Sequence, residues 1–184
     1  MNALDSVSHP MSLAERAAAA LGRPAPPEPE KICLLLDVSG SMADHAEPGI
    51  RKIDALRRIV RDLTAPYIYA FSRACKRVTR ENIPDPQSIT ALAQAFAKIK
   101  SQRITRAVLI TDGLPDDEES AIREASGLSL EIFYVGPAPK PDFLDRLARA
   151  AKAGSQAHQA SLRRDDGALL QSRVARLMLT AGKP

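Results

Sequence analysis

The sequence predicts an α/β protein built on an open, mostly parallel sheet of about six strands flanked by helices. Three observations carry that expectation. The short apolar runs at 32–36 and 107–110, and the largely apolar 130–135, have the pattern of strands buried on both faces. Segments with apolar residues at helical spacing lie between them. Strand alternating with helix requires crossover connections, and those give parallel sheets with helices on both sides. A length of 184 residues suits one domain with its own core, and 45% hydrophobic with 26% charged residues excludes wholesale disorder and a fibrous chain.

Residues 1–30 form a separate N-terminal region. Ser12 can cap a short helix, with Glu15 as its capping-box partner, and Gly22 ends it. Residues 23–30 contain four prolines, which forbid a helix or central strand and leave a stiff linker. The folded domain is expected over 31–182. Its first strand is the run 32–36. Ile53, Leu56, Ile59, Val60 and Leu63 then mark a helix, 67–71 is β-rich, and 75–79 is a weaker strand. Leu92, Ala95, Phe96 and Ile99 give a second helix before the strand at 107–110. Residues 118–125 form a helix that stops at Gly127, followed by the strand at 130–135. Phe143, Leu144, Leu147, Ala148 and Ala151 mark the next helix, 156–160 an edge strand, and 169–179 a last helix with Leu170, Val174 and Leu177 on one face.

Composition narrows the function. No apolar run approaches the about 20 residues of a membrane helix, and no secretory signal stands at the N-terminus, so a cytoplasmic protein is expected. Cys33 and Cys75 read as two buried thiols of a reducing compartment, and His9, His45 and His158 as surface residues. The net charge of +4 leaves nucleic acid open. The basic cluster Arg73, Lys76, Arg77 and Arg80 has little aromatic surface beside it, so a solvated face is expected and not a nucleic-acid site.

Ligands of parallel sheets sit beyond the carboxyl ends of the strands. There the first strand runs into Asp37-Val-Ser-Gly-Ser41, and the strand at 107–110 runs into Thr111-Asp112-Gly113. With the segment opening near Thr90, these bring Asp37, Ser39, Ser41, Thr90 and Asp112 towards one point. Two carboxylates and three hydroxyls make an all-oxygen donor set, suited to Mg²⁺ or Mn²⁺ and not to zinc. A tight turn lets residues 39 and 41 converge with Asp37, and Gly40 is expected to supply its backbone freedom. Asp44, His45 and Glu47 read as a solvated loop, and the acidic run 116–119 as a helix start that also rims the site.

Asp37-Val-Ser-Gly-Ser41 resembles the Asp-x-Ser-x-Ser motif of von Willebrand factor A (vWA) domains, and the resemblance covers about residues 31–181. It implies a Rossmann-like vWA fold with a metal-ion-dependent adhesion site (MIDAS). It also implies that Thr90 and Asp112 complete that site, with the hydroxyls of Ser39 and Ser41 on the ion and the aspartates acting largely through water. The family usually carries glycines before its Thr. Here Gln87, Ser88 and Ile89 stand there, which makes Ser88 an alternative to Thr90. The implied function is metal-dependent protein binding, a partner carboxylate completing the Mg²⁺ shell. An alternative is a cytosolic adaptor of a MoxR- or chelatase-type AAA+ ATPase. A third reading, an aspartate-nucleophile phosphatase, needs a general acid two residues after Asp37, where Ser39 stands. The protein is therefore expected not to be an enzyme.

The linker generates the first prediction. Deleting residues 1–29 should leave a cooperative thermal melt with its midpoint within a few degrees of the full chain. Loss of cooperativity would show that the N-terminal region packs on the domain.

Overall fold

In the computed structural model, described over residues 30–87, 89–137 and 139–180, eight strands and five helices follow one another. The expected N-terminal helix, the linker before residue 30 and Ser88 lie outside the described residues. The strands are β1 (Ile32–Asp37), β2 (His45–Glu47), β3 (Ile50–Arg51), β4 (Ile68–Phe71), β5 (Cys75–Val78), β6 (Arg106–Thr111), β7 (Ser129–Tyr134) and β8 (Gln156–Gln159). The helices are α1 (Lys52–Arg61), α2 (Leu92–Ser101), α3 (Glu118–Ala125), α4 (Asp142–Ala150) and α5 (Arg164–Thr180).

Six strands form the main sheet in the order β5-β4-β1-β6-β7-β8. Five run parallel, and β5 returns antiparallel beside β4. The expected open, mostly parallel sheet is therefore present. Period-2 alternation along β1 divides the core between its faces. Ile32, Leu34 and Leu36 meet Ile53, Leu56 and Val60 of α1 and Leu170, Val174 and Met178 of α5. Cys33 and Leu35 face the other way, into a core shared with α2, α3 and α4. Because both faces are covered, the central strands are largely apolar, which is why they stand out in the sequence.

Chain order reverses at β1. The chain leaves β1 towards β4 on one side, then crosses back to β6 on the other. This reversal opens a crevice beyond the carboxyl ends of β1 and β6, so Asp37, the last residue of β1, and Asp112, the first after β6, face one another there.

Several local expectations are corrected. His45–Glu47 is not a loop: it pairs antiparallel with Ile50–Arg51 through a turn in which Gly49 has φ +76°. Three and two residues are too few for a visible alternation. Gly40 lies in a 3-10 turn, Gly40–Ala43, without positive φ, so its conformational freedom is not used. α5 starts five residues earlier than the apolar spacing indicates, its first turn carrying Asp165 and Asp166 at the favourable end of the helix dipole. His158 is not a bare surface residue: it bonds Glu131 at 2.6 Å and stacks on Phe133. Both cysteines are free thiols, but Cys75 is only half-buried. No helix among the described residues is long and apolar enough to cross a membrane.

The central strand gives the second prediction. Leu35→Ala should cost about 2–5 kcal/mol, because Leu35 is 0% exposed and its neighbours are fixed on both sides. Leu179→Ala, at a side chain 68% exposed, should change stability by less than about 0.5 kcal/mol. Urea denaturation measures both.

Candidate metal centre

The crevice is built outward from Asp37. It is 0% exposed and both of its oxygens are bonded. The Ser39 backbone N–H donates to Oδ1 at 2.8 Å, and the Thr111 hydroxyl donates to Oδ2 at 2.5 Å. Burial pushes the Asp37 carboxyl up to about 6, against the lowering effect of the Thr111 and Ser39 hydrogen bonds. Thr111 ends β6, and β1 and β6 are hydrogen-bonded neighbours, so the sheet register itself delivers that hydroxyl.

The 3-10 turn then brings Ser39 and Ser41 to one side. Their hydroxyl oxygens lie 3.2 Å apart, and the Ser41 hydroxyl donates to Asp112 Oδ1 at 2.7 Å. Ser39 is buried and Ser41 exposed, so the cluster opens to solvent through Ser41. Met42, 0% exposed, anchors the turn in the core.

Thr90 reaches the same end of the sheet by another route. Gln87 donates its N–H to Val38 O at 2.8 Å, and Ala91 donates to Ser72 O at 2.9 Å, which lays Gln87 and Ala91 against the ends of β1 and β4. Two further bonds clamp Thr90 to the loop after β6: its N–H donates to Asp116 Oδ2 at 3.1 Å, and Asp116 N–H donates to Thr90 O at 3.2 Å. Asp37, Ser39, Ser41 and Asp112 thus form one connected cluster, whereas Thr90 stands at its rim. Among the described residues no hydrogen bond joins its side chain to the other four.

The acidic run divides its roles. Asp116 holds Thr90, and Asp117 caps α3 by accepting from Ser120 N–H at 3.0 Å. Glu118 pairs with Arg146, and Glu119 lies 4.0 Å from Arg123. Within the basic cluster, Arg77 covers the Tyr67 ring, and Arg80 reaches the carbonyls of Arg61 and Leu63 at 3.4 Å.

Two side chains of the centre were not among the sequence candidates. One is Thr111. The other is Lys52, the first residue of α1. It is buried, and its ammonium donates to Asp112 Oδ2 at 2.6 Å and to Ser41 O at 3.3 Å. The exposed Asp44 carboxylate lies 3.7 Å away. A sequence signal for it existed: Lys52 is in helical phase with Leu56, Ile59 and Leu63, the stripe that faces the core. Removing one partner of such a buried pair costs about 3–5 kcal/mol, since the other charge stays buried.

The donor set fits a hard divalent ion. Adjacent ligands around an ion held at about 2.1 Å are about 3 Å apart, and the Ser39–Ser41 and Ser41–Asp112 separations of 3.2 and 2.7 Å bracket that spacing. Among the described residues no three His, Cys, Asp or Glu side chains gather as a metal site, so an ion held here would need the serine hydroxyls as well as the carboxylates.

Solved structures confirm the architecture. The manganese-loaded Plasmodium vivax TRAP protein matches with a TM-score of 0.57 and 15% identity over 83% of this chain and 73% of that one. The SpRpn10 VWA domain matches with a TM-score of 0.54 and 12% identity, covering 71% and 86%. A von Willebrand factor type A protein from Catenulispora acidiphila gives a TM-score of 0.60 and 17% identity, covering 83% of this chain and 42% of its own. No family model matches the sequence, and no curated protein matches it. The chain has the vWA fold, as the Asp-x-Ser-x-Ser motif implies.

Gly136, just after β7, closes the back of the centre. A Cβ there would sit 2.4 Å from the Tyr134 hydroxyl and 2.5 Å from Asp112 O. Gly136→Ala should therefore shift the Asp112 loop and destabilise the domain by about 1–3 kcal/mol in urea denaturation. An unchanged midpoint would contradict this packing.

Proposed function

We propose that this chain is a metal-dependent protein-binding module of the MIDAS type and not an enzyme. Its ion, Mg²⁺ or Mn²⁺, would be held by Asp37, Ser39, Ser41 and Asp112, with Thr90 contributing from the rim. The carrying observation is the convergence of Ser39, Ser41 and Asp112 oxygens at ligand spacing, 3.2 and 2.7 Å. The manganese in one protein of this fold supports the choice of ion. When bound, the ion supplies a hard Lewis-acid position that accepts a Glu or Asp carboxylate of a partner protein.

The residues of the chain divide that task. Ser39 and Ser41 offer neutral oxygens, which leave the ion enough charge to attract a partner carboxylate. Asp37 and Asp112 supply the compensating negative charge. Leu114, on the same loop as Asp112 and 47% exposed, offers apolar contact beside the site. A groove of about 560 Å³ runs from Lys52 past Asp44, His45, Gly136 and Arg163, and would receive the residues flanking that carboxylate. The binding reading is favoured over the phosphatase one because Asp37 is buried and the position two residues on, where that chemistry needs a general acid, holds the Ser39 hydroxyl.

A ligand that binds only the folded state raises its melting temperature. Millimolar Mn²⁺ should raise the melt of the wild type and leave that of Asp37→Ala unmoved. A partner captured from lysate in Mg²⁺ should be released by EDTA, and Asp112→Asn should weaken its binding without adding to the EDTA loss. A wild-type melt indifferent to the ion would overturn the metal reading. Full partner binding by Asp112→Asn in EDTA would place the partner elsewhere.

A further inference from the structure

Lys52 is placed against its local preferences. It opens a helix, where the dipole disfavours a cation, and the N-cap position before it makes no side-chain cap. It is buried, where a charge is costly without a partner. Its partner is Asp112, itself almost fully buried, with the ammonium 2.6 Å from Oδ2. The same Asp112 presents its other oxygen to Ser41 in the metal cluster. One carboxylate is therefore shared between an internal cation and the oxygens that suit an external one.

We propose that Lys52 is the internal counter-cation of this site, competing with a divalent ion for Asp112 and so setting how strongly the ion is held. The inference rests on the metal-site reading above. With Asp37 and Asp112 ionised and Lys52 charged, the centre carries −1. A divalent ion turns this into +1, and an ammonium a few ångströms from that ion repels it strongly at the low effective dielectric of a buried site. Binding thus loosens the Lys52–Asp112 contact and sends the ammonium towards Asp44, already 3.7 Å away and exposed. The leftover +1 is cancelled when a partner carboxylate arrives. Ion and partner therefore reinforce one another, each binding better in the presence of the other. Without Lys52 the two carboxylates alone would neutralise the ion, and the ion would stay whether or not a partner was present.

The test is Mn²⁺ affinity by isothermal titration calorimetry for wild type and Lys52→Gln, which removes the charge and keeps a hydrogen-bond donor for Asp112. Lys52→Gln should bind Mn²⁺ about tenfold more tightly or better. Equal or weaker binding by the variant overturns the counter-cation role while leaving the metal site intact. Binding by the variant alone supports that role and overturns the metal-loaded reading of the wild type. Absence of binding by both overturns both. If Lys52→Gln does not melt cooperatively, acetylation of Lys52 in the wild type decides. Faster labelling of Lys52 in Mn²⁺, relative to other lysines, supports displacement, and an unchanged rate overturns it.

Discussion

Two carboxylates buried within one crevice, Asp37 and Asp112, impose the constraint that organises the end of this molecule. Neither can be ionised there without compensation. Asp37 receives a backbone N–H and the Thr111 hydroxyl. Asp112 receives the Ser41 hydroxyl and the Lys52 ammonium. The four donors come from three places: Ser39 and Ser41 from the 3-10 turn after β1 and its cap, Thr111 from the end of β6, and Lys52 from the start of α1. The reversal of chain order at β1 is what brings them together, so the fold and the site are consequences of one topology.

The same constraint explains what the surrounding loops do. Gly136 must lack a Cβ because Tyr134 and the Asp112 carbonyl occupy that space. Asp116 fastens the Thr90 segment by accepting its N–H. Asp117 and Glu118 serve helix α3 and Arg146, so much of the acidic run is already engaged and less of it repels an acidic ligand than its sequence implies. The fold alone would not select a function, since one architecture hosts many. It is the oxygen spacing at Ser39, Ser41 and Asp112 that gives the vWA likeness a chemical meaning here.

The sheet was legible because its central strands are buried on both faces, and β1, β6 and β7 are therefore largely apolar, with polar residues mainly at their ends and Glu131 the one break inside β7. Asp37, Ser39, Ser41 and Asp112 were legible because they lie within a few residues of strand ends, where spacing translates directly into position. Thr90 follows a long connection whose path depends on bonds to Val38, Ser72 and Asp116, and no local pattern encodes those. The β2–β3 hairpin is too short to show alternation. Lys52 was legible in principle, as a charge in phase with a core stripe, but it lies fifteen residues after Asp37 and its carboxylate partner is supplied by tertiary structure.

The most direct test of the centre is the position of the ion itself. Crystals soaked in Mn²⁺ and measured at the manganese absorption edge give an anomalous map that locates it without reference to affinity or partner. The expected peak lies between the Ser39 and Ser41 hydroxyl oxygens on the side of Asp112, with the Lys52 ammonium withdrawn from Asp112 Oδ2. A map without a peak there, with Lys52 still bonded to Asp112, would contradict the assignment and leave Lys52 as the only cation of the site.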